Sequence, residues 1–225
     1  MHRCMDAWKS SNREKMDKKI VQDISTAIKL RMERSEKPVP VGVSNRHVHF
    51  TEKDFKALFG EDAQPTLYKQ LVQPGFYAAN EKVDIHGPKG SFENIRMIGP
   101  CRSYTQVEVS MGDARMLGLK PPIRDSGKLE NTPGIKIVGL KGTIEIKQGV
   151  IVSKRHIHFS PKDAQEFKIK DGEEARVRCG TGKDRELIFE RVLCRVSDMY
   201  ALELHVDIEE ANAGVLETGD SVFIV

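Results

Sequence analysis

Cysteine is scarce in this sequence, and its four copies, Cys4, Cys101, Cys179 and Cys194, show no Cys-x-x-Cys spacing. With no disulfide framework or paired thiols to read, the pattern fits a reduced, cytoplasmic setting. No apolar run approaches the length of a membrane span and no secretory signal pattern is recognisable, so no membrane partner is expected. Charge of one sign is missing as well: 36 basic against 33 acidic residues leave a net charge of +3. Bulk electrostatics therefore gives no reason to expect nucleic acid, although a local basic pocket for an anionic ligand stays open. At 225 residues, 39% of them hydrophobic, the chain can bury an ordinary core as one large domain or two small ones.

What is present is a stretch that occurs twice. Val43-Ser44-Asn45-Arg46-His47-Val48-His49-Phe50-Thr51-Glu52-Lys53-Asp54 returns as Val152-Ser153-Lys154-Arg155-His156-Ile157-His158-Phe159-Ser160-Pro161-Lys162-Asp163. A match of this length at a fixed offset marks a duplicated unit. Strand periodicity puts His47 and His49 on one face and Arg46, Val48 and Phe50 on the other. Two imidazoles about 7 Å apart along a strand can lean toward one metal ion. A single His-x-His is more often an ordinary pair on a strand; two copies, each preceded by Ser-x-Arg, favour a metal site.

Ahead of the repeat, Met16, Ile20, Ile24, Ala27 and Ile28 recur at helical steps, which predicts an amphipathic helix from Arg13 to about Arg34, behind a loosely ordered polar segment 1–12. Its expected role is to dock on the main body; the alternative is to bind a partner or a shell surface. Pro38 and Pro40 end it and carry the chain extended into the first motif. Thr51 and Ser160 are candidate caps for short helices after each motif, the first stopped by Gly60. His86 reads as an exposed or hydrogen-bonded histidine, and Cys101 as a small residue after a Gly-Pro turn rather than a nucleophile. Many short strands between glycines predict a mostly β chain of two β-barrel domains with a few short helices. The expected organisation is a tail and helix over 1–37, a first barrel half over 38–134 and a second over 135–225.

The duplication continues downstream. Setting Gln106-Val107-Glu108-Val109-Ser110 over Ala201-Leu202-Glu203-Leu204-His205 pairs Glu108 with Glu203 and Ser110 with His205. Open zinc sites use three protein ligands, and the halves can supply two sets: His47, His49 and Glu108; and His156, His158 and His205. Glu203 reads as a buried acid behind the ligands, with the lesser alternative that it is itself a ligand. One closed four-histidine site is the competing arrangement. Arg102, after a Gly-Pro turn, reaches the same pocket if its strand folds back, where an arginine fork suits an oxyanion such as phosphate; otherwise it is a surface arginine. Arg46 and Arg155, facing away from the histidines, are expected in structural salt bridges.

Val41 to Phe50, Gly99-Pro100-Cys101-Arg102-Ser103-Tyr104-Thr105-Gln106-Val107-Glu108-Val109-Ser110 and Lys154 to His158 together resemble the phosphate propanoyltransferases, phosphotransacylases of the microcompartment type. The resemblance covers about residues 38 to 225. It implies two β-barrels, two zinc ions per chain, and reversible conversion of a short-chain acyl-CoA, propanoyl-CoA or acetyl-CoA, and phosphate to acyl phosphate and coenzyme A. Residue by residue it implies one metal on His47, His49 and Glu108, the other on His156, His158 and His205, and phosphate on Arg102. Coenzyme A contacts are implied for Val43, Ser44, Asn45, Lys69, Arg96 and Asn212, with Lys89 an alternative basic neighbour. Direct transfer without an acyl-enzyme is the expected mechanism. Propanediol degradation, a homo-oligomer, and residence in the cytoplasm or inside a bacterial microcompartment among shell and cargo proteins also follow from it. Encapsulated members often carry a targeting segment ahead of the docking helix; here either residues 13–34 serve both purposes or the enzyme works in open cytoplasm.

Two other readings compete. A cupin-like metalloenzyme wants a glutamate four or five residues after the second histidine, where this chain has Lys53 and Asp54. A non-catalytic metal- or anion-binding module has no need of Arg102 or of two open sites. An amidohydrolase barrel is disfavoured by length and by the lack of repeated βα units.

Overall fold

Pro38 cannot continue a helix, and in the computed structural model helix α1 (His2–Ser35) gives way there to strand β1 (Pro38–Ser44). The structure describes the backbone of residues 2–225 and the side chains of residues 15–225, so Cys4, Trp8 and the other side chains of the N-terminal segment lie outside the described residues. The helix begins ahead of the expected Arg13. Its last turn is tied down by polar contacts: Arg34 Nε donates to Phe167 O at 2.8 Å and its Nη1 to Glu173 Oε1 at 3.0 Å. The apolar positions expected to dock on the body do not do so, for Met16, Ile20, Ile24, Ile28 and Met32 are all exposed.

The first motif continues from β1 into β2 (His47–His49), α2 (Glu52–Phe59), β3 (Leu67–Gln70), β4 (Tyr77–His86), β5 (Ser91–Gly99), β6 (Gln106–Glu108) and α3 (Met111–Leu117). The joint region holds β7 (Ile123–Arg124), β8 (Ile135–Val138) and β9 (Thr143–Ile146). The second motif runs through β10 (Val150–Ser153), β11 (His156–Phe159), α4 (Pro161–Phe167), β12 (Glu174–Cys179), β13 (Leu187–Val196), β14 (Glu203–Asp207), α5 (Ile208–Ala213) and β15 (Ser221–Ile224). Thr51 and Ser160 cap α2 and α4 as their hydroxyls suggest, accepting from Asp54 N and Asp163 N. His86 is exposed.

Two barrel-like units result. One closes in the order β1-β14-β11-β13-β12-β15; the other curls into a half-barrel, β7-β10-β6-β2-β5-β4-β8-β9 with β3 on β4. Each has its own core, Ile157, Phe159, Phe167 and Leu204 in the closed barrel and Val48, Phe50, Phe55 and Met97 in the open one.

The sheets do not divide where the sequence halves do. β1 lies parallel to β14, with Gly42 opposite His205, while β10 lies parallel to β6, with Ile151 opposite Glu108. Each copy thus lends the strand before its His-x-His to the sheet of the other. The expected boundaries at 37/38 and 134/135 separate the repeats but not the sheets, because residues 38–44 belong with the second barrel and residues 135–153 with the first sheet. Alternation specifies a strand's faces but not which edge it joins.

Candidate active site

The crossovers are short, Asn45-Arg46 in one copy and Lys154-Arg155 in the other, and each ends in an arginine that locks it. Arg46 makes a fork to Asp113, Nε to Oδ2 at 3.0 Å and Nη2 to Oδ1 at 2.8 Å; Arg155 Nη1 meets Glu210 Oε1 at 2.8 Å. Asp113 and Glu210 close the capping boxes of α3 and α5, on Ser110 and Asp207. The expected structural role of both arginines holds.

Beyond each crossover the histidines face a strand that supplies the third donor. His47 stands opposite Glu108 across β2 and β6, and His156 opposite His205 across β11 and β14. This register corrects the alignment of the repeat made on sequence. The equivalent of Glu108 is His205, that of Gln106 is Glu203, and that of Ser110 is the cap Asp207. The error is a slip of two residues, which leaves every side chain on its proper face and so is invisible to alternation. The two donor sets are brought together as expected, His47, His49 and Glu108 in one and His156, His158 and His205 in the other, with donor atoms within 4.8 Å of one another in each.

The hydrogen bonds behind these rings test whether a metal suits them. Nδ1 of His47 donates to Asn45 O at 2.8 Å, Nδ1 of His49 to Ile98 O at 3.0 Å, and Nδ1 of His156 to Lys154 O at 2.8 Å. In neutral rings these bonds put the proton on Nδ1 and leave the Nε2 lone pair free. Nε2 of His47 and of His49 then face one another at 3.2 Å, each 3.7 Å from an oxygen of Glu108. Lone pairs converging beside a carboxylate call for a cation, and a tetrahedral zinc with bonds of about 2.0–2.1 Å sets its nitrogens about 3.3 Å apart. In the second set both ring nitrogens of His158 are buried without a hydrogen-bond partner, while Nε2 of His205 has Glu203 Oε2 at 3.0 Å. Such orphaned atoms also fit a metal-holding role.

Burial prevails at His49 and His156, whereas at His47 burial is outweighed by the Glu108 carboxylate, which raises the imidazole. Burial opposes charge on Glu108, but the His47 and His49 imidazoles outweigh it and hold the carboxyl well below the usual range. Burial lowers His49 to about 4 and, with the charge of His205 beside it, His156 to about 3, so both rings are neutral at pH 7. Glu203 is buried, as expected, accepts from Gln73 Nε2 at 2.9 Å and lies 3.0 Å from His205 Nε2.

Both sets open on one cleft of about 980 Å³ between the two units. Arg102 lines it, and among the described residues its guanidinium has only hydroxyl partners, Ser126 Oγ at 3.2 Å and Tyr104 Oη at 3.4 Å. Of the expected coenzyme A residues, Val43, Ser44, Asn45, Lys69 and Arg96 line the cleft. Asn212 does not: it is exposed on α5. Lys89 is likewise exposed and outside it, beside Gly118. The cleft also holds Arg195 and Tyr200, which sequence reasoning passed over; the available signal was the alternation of β13, where buried Cys194 turns its neighbour Arg195 outward.

Comparison with known proteins places this arrangement among the acyltransferases. The family model described as phosphate propanoyltransferase matches residues 40–217. Over 192 residues the chain is 54% identical to the phosphate propanoyltransferase of Thermotoga maritima, covering 85% of this chain and 91% of that one. It is 46% identical over 199 residues to that of Salmonella typhimurium, covering 88% and 92%, and 44% identical over 207 residues to that of Citrobacter koseri, covering 92% and 96%. The chain belongs to the phosphate propanoyltransferase family, and its activity is that of a phosphotransacylase.

Proposed function

We propose that the chain transfers a propanoyl or acetyl group directly between coenzyme A and inorganic phosphate, with one zinc ion held by His47, His49 and Glu108 and a second by His156, His158 and His205. The observation that carries this reading is the pair of three-donor sets, with free Nε2 atoms on His47, His49 and His156, facing a cleft that also holds an arginine without a carboxylate partner. When bound, such ions supply Lewis-acid charge for a developing oxyanion and a soft contact for a departing thiolate.

Arg102 binds the phosphate dianion by a charge-assisted fork and holds one oxygen toward the thioester carbonyl. A carbon–oxygen bond forms, the carbon–sulfur bond breaks, and coenzyme A leaves with the electron pair and takes up the proton that phosphate brought. Val43, Ser44, Asn45, Lys69 and Arg96 bind coenzyme A, the two cations meeting its phosphates. The same reading puts the enzyme, as a homo-oligomer, with the shell or cargo proteins of a bacterial microcompartment; the exposed apolar row on α1 supports it.

The test is elemental analysis of the purified protein together with coenzyme A release from propanoyl-CoA and acetyl-CoA, with and without phosphate. About two zinc ions per chain and strictly phosphate-dependent release are expected, and His47→Ala or Arg102→Ala abolishes the activity. Phosphate-independent release, or an acyl group trapped on Cys101, would overturn the direct transfer.

A further inference from the structure

Arg195 stands on β13 directly beside His158, since the parallel ladder of β11 and β13 sets these two residues in register. Its chain neighbour Cys194 is fully buried in the barrel, and Arg195 itself lines the cleft. The guanidinium lies 5.4 Å from the centroid of the Tyr200 ring, which is stacked on His158 at 3.9 Å with the planes 12° apart. Three arginines of this barrel carry a carboxylate, Arg155 with Glu210, Arg176 with Glu190 and Arg191 with Glu174, whereas Arg178, outside the cleft, lies over the Phe223 ring. Arg195 has no ion-pair or hydrogen-bond partner among the described residues. Arg102 lines the same cleft as Arg195, and the carboxylate that the charge of Arg195 reaches, Asp125, is already paired with Lys128 at 2.6 Å.

A half-buried guanidinium whose donors meet no protein acceptor is costly, and its planar fork suits a tetrahedral oxyanion. The Tyr200 ring lies within cation–π range of the guanidinium, and both side chains line the cleft. A purely structural arginine would instead be expected to spend its donors on a carbonyl or carboxylate, as Arg155 does with Glu190 O and Glu210.

We propose that Arg195, braced by Tyr200, is a second phosphoryl-binding residue of the cleft, distinct from Arg102 and placed at the second histidine set. The inference rests on the phosphotransacylase reading above. A phosphoryl group reaches this cleft from two sources, the transferred phosphate or the phosphates of coenzyme A, and the same experiment separates them.

The experiment is steady-state kinetics of the metal-loaded enzyme and of its Arg195→Gln and Arg195→Lys variants, with phosphate, acetyl phosphate, coenzyme A and acetyl-CoA varied in turn. Thermal melts with and without inorganic phosphate, and zinc content, are measured on each protein. Loss of one charge-assisted contact is expected to raise the KM of the affected substrates about tenfold or more. Arg195→Lys should recover part of that, with zinc content and the phosphate-free melting temperature unchanged. A rise for phosphate and acetyl phosphate, with loss of the phosphate-induced melting shift, assigns the residue to the transferred group. A rise for coenzyme A and acetyl-CoA assigns it to the cofactor's phosphates. No change in any KM, or a fall in kcat that follows zinc content, overturns the proposal. Phosphate-independent turnover by the unaltered enzyme would instead defeat the phosphotransacylase reading, whatever the variants do.

Discussion

Gln106 and Glu108 share one face of β6, and the Gln106 amide Nε2 donates to Glu108 Oε1 at 2.6 Å and to Ser126 Oγ at 2.8 Å. Its Oε1 accepts from Gly127 N at 2.8 Å, and Ser126 in turn accepts from Arg102. One fully buried amide therefore ties the third donor of the first set to the loop that contacts Arg102. Gln106→Leu should weaken zinc binding at that set by about 10–100-fold, the usual effect of removing a group that orients a ligand. Chelator competition, read as zinc retained per chain, checks it; retention equal to that of the unaltered protein would show that Glu108 is oriented without Gln106.

Gly42 passes so close to Glu203 that a Cβ there would lie 2.7 Å from its Oε1. Glu203 has little room to yield, being buried and held by Gln73. Gly42→Ala should cost about 1–3 kcal/mol, in the range of overpacking. By displacing Glu203 it should also lower zinc occupancy at the second set. Denaturant unfolding and metal analysis read the two effects separately.

Asp113 is 6% exposed in its side chain, accepts the Arg46 fork and completes the α3 capping box. Asp113→Ala removes the return bond of the capping box, from Ser110 N to Oδ2, and leaves Arg46 without its partner, at an expected cost of about 2–3 kcal/mol. Arg46→Ala should cost less, because that side chain is 36% exposed and the cap remains. Equal losses in the two variants would mean that the bond from Ser110 N to Asp113 contributes nothing.

Acid should destabilise the chelator-treated protein through its histidines. His49 and His156 titrate at about 4 and about 3 in the folded chain, against about 6.5 when unfolded. Between those values the unfolded state binds more protons, so stability is greatest above pH 6.5 and is lost as pH falls toward 4. Melting temperatures from pH 7 to pH 4 check the sign, and His156→Asn should flatten the slope.

The duplicated motif, its alternation and the hydroxyl caps were legible in the sequence because each is decided within about a dozen residues. The period of two puts His47, His49, His156 and His158 on one face, and Thr51 or Ser160 before a helical turn is a local hydrogen-bond choice. The ligand sets followed from that pattern together with the family resemblance. What only the tertiary structure decided is non-local. The exchange of β1 and β10, the register that makes His205 and not Glu203 the counterpart of Glu108, and the exclusion of Asn212 and Lys89 from the cleft all depend on which strand edges meet. Arg195 was hidden for the same reason: its want of a carboxylate partner is a property of its surroundings, and no stretch of sequence displays it.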